Sequence, residues 1–327
     1  MADYINIYGQ DILAVASDPA NPTVGQIWYN TTSNTLKGGG VTTAGAWATA
    51  NNMNTARSDL AGAGTQTAGL GFGGQPGTGS TSVTEEYDGT NWATSPGSLS
   101  TARRQLAGCG TQTSALAFGG FIPAYTGATE EYNGSTWTSV NSMNTARSRL
   151  SGVGIQTAGL GFGGNDGSPS AITAATEEYN GTSWATSPGS LNTARQNLKG
   201  AGTQIAALGF GGYITANTGA TEEYDGISWT SSNNLNTARD ELAGCGTQTA
   251  ALAFGGYSTA PTGATEEYNG ATWATSPGSL STARSGLAGA GTQPAALAFG
   301  GFDTAATAAT EEWNGAGSPL TVTITAS

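Results

Sequence analysis

The sequence predicts an all-β fold: six blades in a wheel, each a sheet of four antiparallel strands, with a strand from the N-terminal side completing the last blade. Three observations predict it. A unit of 44 to 48 residues recurs six times, each copy opening on Thr-Ala-Arg, with arginines at Arg57, Arg103, Arg147, Arg195, Arg239 and Arg284. Every copy then keeps one order: small residues, Phe-Gly-Gly, Thr-Glu-Glu with an aromatic, and tryptophan. The sixth copy lacks that tryptophan, whereas Trp47 stands upstream of the first arginine with no Glu-Glu-Tyr before it. Units of this length cannot cover their own apolar faces and must stack. A unit split between the two ends of the chain fits a ring, because closure reunites its halves.

Residues 1–45 read as a separate N-terminal segment. Ile5, Ile7, Ile12, Leu13 and Val15 lie in an extended stretch, Gln26 to Tyr29 is a strand, Asn30 to Asn34 a turn, and Thr35 to Lys37 the return. The repeat occupies 46–315. In its first copy Leu60 to Thr65 is a short strand of small residues and Gln66-Thr67 a turn. Ala68 to Phe72 is the second strand, with Leu70 and Phe72 on one face. Gly73-Gly74 ends it, since glycine admits positive φ. A variable loop over 75–82 leads to the third strand, Val83 to Tyr87; Asp88-Gly89 is a hairpin turn, and Trp92 opens the fourth strand. Four short strands without helical periodicity describe a β-propeller blade. The Trp47 strand is expected to pair with Thr310-Glu311-Glu312-Trp313, making Trp47 and Trp313 the closing contact. In the tail, 316–327, Leu320 to Ile324 alternates like a strand and needs a partner.

Charged residues are 10% of the chain, so its surface must be built largely from Thr, Ser, Asn, Gly and Ala. Net charge is -12 with ten basic residues, which leaves no stripe able to neutralise phosphates and excludes nucleic acid as a partner. No apolar run reaches the roughly 18–20 residues of a membrane helix, and Met1-Ala2-Asp3-Tyr4 does not begin a secretory signal, so synthesis in a cytoplasm is expected. Cys109 and Cys245 occupy the same slot in copies two and five, opposite each other in a six-fold ring, and read as core residues rather than a disulfide.

The six arginines and the glutamates Glu86, Glu131, Glu178, Glu223, Glu267 and Glu312 read as one structural ion pair per blade or blade interface. Adjacent carboxylates on a strand point to opposite faces, and a six-fold repetition argues against a single catalytic pair. With no histidine, the usual triads and zinc or copper sites have no ligand set. No catalytic residue, cofactor or metal is therefore expected, with calcium at loops such as Asn165-Asp166-Gly167 left open. Variation between copies concentrates after each Gly-Gly, where Phe121, Tyr125, Tyr213, Tyr257 and Phe302 are candidate ligand-binding residues. Aromatics on loops of a rigid scaffold suit sugar or protein contact.

The order of arginine, small-residue strand, Gly-Gly doublet, Tyr-Asp and spaced tryptophan resembles the kelch repeat over 46–315. Departures are Glu85 and Glu86, where that family carries apolar residues, and a higher glycine content; WD40 repeats match worse, since their Gly-His signature needs a histidine. Kelch-like copper oxidases need histidine and a modified tyrosine, so that activity is not implied. Asp18-Pro19-Ala20-Asn21-Pro22 with Gly25-Gln26-Ile27-Trp28-Tyr29-Asn30 to Lys37 resembles a short module of tailed-bacteriophage tail-fibre and other virion proteins, where it precedes a fibre or appended domain. The two resemblances imply a non-enzymatic virion structural protein, made in the host cytoplasm. It would be a tail fibre, appendage or capsid decoration. Its N-terminal segment would attach to other virion proteins, and its loops would bind a host-surface glycan or protein. Homo-oligomer formation is left open. The alternative is a secreted or cell-surface bacterial carbohydrate-binding propeller, a lectin or adhesin.

Overall fold

The computed structural model describes residues 12–19, 22–41, 44–168, 171–317 and 319–324. All regular elements among them are strands. The chain divides into two compact units, Trp47–Trp313 and the joined end segments Met1–Ala46 and Asn314–Ser327.

The end-segment unit is one four-stranded sheet in the order Leu13–Val15, Ile27–Asn30, Thr35–Val41, Pro319–Thr323. Ile27–Asn30 and Thr35–Val41 form an antiparallel hairpin, Leu13–Val15 adds in parallel, and Pro319–Thr323 pairs antiparallel on the far side. The alternating C-terminal tail thus finds its partner in Thr35–Val41. Trp28 is fully buried, and its indole N–H donates to Asp18 Oδ1 at 2.9 Å; Asn30 Nδ2 donates to the same oxygen at 2.7 Å. Of the apolar N-terminal stretch, Ile5 and Ile7 lie outside the described residues.

The unit Trp47–Trp313 holds six four-stranded sheets, the blades of a propeller-like array. The first is Ala61–Gly64, Gly69–Phe72, Thr84–Tyr87 and Trp92–Thr94, each antiparallel to the next. The sixth takes Ala288–Thr292, Ala295–Phe299 and Thr310–Asn314, and its fourth strand is Ala46–Ala50 from the other end of the chain. Within a blade the second strand is a continuous buried run such as Ala250–Phe254, as a strand covered on both faces must be. In blades one, three and five the fourth strand buries its leading tryptophan and exposes the rest, whereas Trp137 and Trp47 are half-buried.

Each blade touches the preceding one through the same four groups. The phenylalanine of Phe-Gly-Gly packs at a tilt against the tryptophan of the next blade: Phe72–Trp137, Phe118–Trp184, Phe162–Trp229 and Phe210–Trp273, with ring centroids 4.8–5.0 Å apart and planes inclined by 52–61°. Trp47 fills the sixth place against Phe254 at 4.8 Å, and Trp92 meets Phe299 at 4.9 Å. Each of these indole N–H groups donates to a threonine hydroxyl one blade back, Trp47 to Thr265 at 2.9 Å and Trp92 to Thr310 at 3.0 Å. A turn glutamine donates to two backbone carbonyls of the preceding blade, as Gln112 does to Gly69 and Tyr87 and Gln66 to Ala296 and Trp313. Trp47 and Trp313 lie 5.4 Å apart, centroid to centroid.

The arginines are fully buried and ion-paired, but their partners correct the sequence reading. Arg57, Arg103, Arg147, Arg195, Arg239 and Arg284 meet Glu85, Glu130, Glu177, Glu222, Glu266 and Glu311, the first glutamate of each pair, at 2.6–3.3 Å. That carboxylate also accepts backbone N–H bonds from the turn before the arginine, Asn54 and Thr55 in blade one. Burial pushes the Arg57 and Arg195 guanidinium groups down to about 10, opposed by the paired carboxylates, so they stay charged at neutral pH. Glu86, Glu131, Glu178, Glu223 and Glu312 face the other side of the strand. There they accept the hydroxyl of a tyrosine from the next blade: Tyr132, Tyr179, Tyr224, Tyr268 and Tyr87, at 2.5–2.7 Å. Burial, then the bonded carboxylate, pushes the phenols of Tyr132, Tyr224 and Tyr268 up to about 12, so the tyrosine is the donor. Among the described residues Glu267 has no such tyrosine partner, because blade six carries Trp313 in the tyrosine slot and its indole donates to Gln293 O.

Two outcomes follow from these contacts. Trp47→Ala should cost about 3 kcal/mol or more, the range for a large aromatic lost from a core, read as a lower urea midpoint with an unchanged slope. Glu177→Gln strands a buried guanidinium and should cost about 3–5 kcal/mol, whereas Glu178→Gln, which can still accept the Tyr224 hydroxyl, should cost about 1 kcal/mol or less. Equal midpoints for the two variants would contradict the assignment of roles.

Candidate ligand-binding face

The residue after each arginine forms a bridge with the residue after each Gly-Gly: Ser58 with Gln75, Arg104 with Phe121, Ser148 with Asn165, Gln196 with Tyr213, Asp240 with Tyr257 and Ser285 with Phe302. The variable loops and the arginine turns therefore share one face. The doublet makes the bend between them: Gly73 and Gly74 have φ of 65° and 102°, and a Cβ on Gly74 would lie 2.7 Å from Ser58 O.

Three of the five candidate aromatics come together. Tyr213, Tyr257 and Phe302, from blades four, five and six, line an open cleft of about 510 Å³ with Asn217, Asp240, Glu241, Pro261, Ser285 and Asp303. Tyr257 and Phe302 are 41% and 44% exposed, surface that packing does not require. Phe121 and Tyr125 instead meet each other edge-on at 5.5 Å, with the Arg104 guanidinium 5.1 Å over the Phe121 ring. They are not among the groups lining the cleft.

The cleft's carboxylates are held in place. Asp240 is buried and accepts from Asn197 Nδ2 at 3.1 Å; burial pushes its carboxyl up. Glu241 Oε2 accepts the Ser285 hydroxyl at 2.9 Å. Asp303 accepts the backbone N–H groups of Thr304 and Ala305, which hold its carboxyl down. Asn217 donates to Tyr257 O and Ser258 O at 2.9 and 2.8 Å, fixing one loop to its neighbour. Flat rings beside fixed acceptors suit a ligand with C–H faces and polar hydrogens.

A second feature of this face went unseen in the sequence. The residues two after each arginine, Asp59, Gln105, Arg149, Asn197, Glu241 and Gly286, all take left-handed φ of 51–59°. Their backbones bond head to tail at 2.8–3.1 Å: Gln105 N to Asp59 O, Arg149 N to Gln105 O, and so on to Gly286, with Asp59 N returning to Gly286 O. Their side chains, with Lys199, surround a cavity of about 40 Å³, room for about one water. Burial lowers the Lys199 ammonium and raises the Asp59 carboxyl. The signal was present: in Thr-Ala-Arg-x-x-Leu only the two middle positions change charge between copies. A non-glycine residue in this conformation costs about 1 kcal/mol, and five of the six slots bear it.

Cys109 and Cys245 are free and buried, and burial pushes both thiols up to about 12, so neither offers a thiolate at neutral pH. Among the described residues no group of three His, Cys, Asp or Glu side chains could hold a metal ion. No family model matches the chain, and no curated protein matches it by sequence.

The left-handed turns yield opposite shifts. Gly286→Ala should lower stability by about 1 kcal/mol, and Gln105→Gly should raise it by up to about 1 kcal/mol, less the bond from its amide to Asp59. Thermal melts of the two variants beside the parent check the signs.

Proposed function

We propose that Trp47–Trp313 is a six-bladed kelch-like β-propeller, closed on itself by the strand Ala46–Ala50, and that it binds a glycan on a host surface through its loop face. The closure reading draws on the contacts of Trp47, Trp92, Tyr87 and Gln66, which repeat between blades one and six or six and five what the other blades do. The binding reading rests on one observation: Tyr213, Tyr257 and Phe302 converge on a cleft whose acceptors are already fixed. A site that binds by stacking and hydrogen bonding needs no nucleophile, and the proposed role is non-enzymatic.

The setting is proposed from the N-terminal segment. Asp18 to Lys37 resembles the virion module, and its tryptophan, asparagine and aspartate form one bonded cluster. The protein is then a virion structural component, a tail fibre, appendage or capsid decoration, attached to other virion proteins by that segment. Co-purification with viral structural proteins separates this setting from a secreted bacterial lectin or adhesin with the same cleft.

A glycan array should return binding without product formation. Tyr257→Ala should weaken the strongest hit by about tenfold or more, as loss of an aromatic anchor does, and shift the melting curve little because that residue lies outside the buried core. An array with no hits removes the glycan reading.

A further inference from the structure

We infer that the ligand of this cleft carries a protonated amine: a cationic glycan, such as an oligomer of hexosamine with free amino groups, seated between Tyr213, Tyr257 and Phe302 and the carboxylates of Asp240, Glu241 and Asp303. The inference rests on the proposed glycan reading and adds the charge of the ligand to it.

Three observations carry it. Every charged side chain lining the cleft is negative, and no lysine or arginine is among them. An acidic sugar would meet three carboxylates and no cation in the cleft lining, the nearest positive charges, Arg149, Lys199 and Arg284, lying outside it, whereas an ammonium gains from each carboxylate. The aromatic faces act in the same direction, since a cation over a ring within about 6 Å is attracted by the ring's quadrupole. Neither phenol of Tyr213 and Tyr257 has a hydrogen-bond partner among the described residues, so both remain available to sugar hydroxyls.

The third observation is the contrast between copies. The two slots after the arginine hold Arg104-Gln105 in blade two and Ser148-Arg149 in blade three, but Asp240-Glu241 in blade five. Among these slots basic residues stand in blades two and three, acidic ones in blade one at Asp59 and in blade five at both positions, and of these blades five is the one that borders the cleft. Folding does not require this, because the same turn forms with Ser58, Ser148 or Ser285 in the first slot and Gln105 in the second. Asp240 is held on one side by the Asn197 amide and borders the cleft on the other, where an ammonium would offset the burial that raises its carboxyl.

The test uses the full chain and two chito-oligosaccharides of equal length, one fully deacetylated and one fully N-acetylated, titrated calorimetrically at a slightly acid pH that protonates the amine. The deacetylated oligomer should bind about tenfold more tightly, the gain of one to two kcal/mol that a partly desolvated cation draws from aromatic and carboxylate neighbours, and the gap should narrow as salt is raised. Asp240→Ser and Glu241→Gln place in blade five residues that the chain already uses in the same slots, so both should fold; each should shrink the gap. Equal affinity for the two oligomers, or an unchanged gap in both variants, overturns the inference and leaves the glycan reading standing. If neither oligomer binds, the strongest array glycan decides: one without an amine overturns the inference, one with an amine supports it. An array with no hits overturns both.

Discussion

Everything in Trp47–Trp313 depends on how closely one blade can lie on the next. The phenyl ring of each Phe-Gly-Gly lands on a glycine in the inner strand of the following blade. A Cβ at Gly62, Gly108, Gly152, Gly200, Gly244 or Gly289 would come within 2.4–2.8 Å of that ring. This contact explains why every inner strand carries glycine at that position, a residue with little intrinsic preference for a sheet. The phenyl ring that covers each glycine packs in turn against a tryptophan of the same following blade, Trp137 on Phe72 and its equivalents.

So close an approach leaves many backbone groups without water, and the repeat supplies a fixed partner for them. Glutamine side chains bond the carbonyls of the preceding blade, tryptophans its threonine hydroxyls, and the arginine–glutamate pair ties the turn before each inner strand to its own blade. The pair is buried, so its value is in fixing that turn rather than in net stability. The result is a scaffold whose copies differ little wherever they touch.

Differences are therefore informative, and they gather on one face. The left-handed turns at Asp59, Gln105, Arg149, Asn197 and Glu241 would be cheapest as glycine, as blade six shows with Gly286. Side chains are kept there at a cost in backbone strain, and their charge changes from blade to blade, an observation that supports the binding role proposed for this face. The aromatic cleft shares Glu241 with that cluster.

Much of this was legible along the chain, because the signals were local and repeated six times. Strand order, the Gly-Gly exit, the Asp-Gly and Asn-Gly turns and the place of Trp47 as the sixth tryptophan each follow from a few neighbouring residues. Alternation along a strand also separated the two glutamates of each pair onto opposite faces. It could not say which face meets the arginine, since that depends on which blade lies against it: the near side gives Glu85 to Arg57, the far side gives Glu86 to Tyr132. The cleft was likewise beyond the sequence, where Phe121 and Tyr125 looked equivalent to Tyr213, Tyr257 and Phe302. Loop conformation turned the first two onto each other and the other three toward a common space. The sequence by itself determined what recurs, because recurrence is covalent order; only the tertiary structure decided which copies of a side chain share a site, because that is set by distances between blades that no local signal encodes.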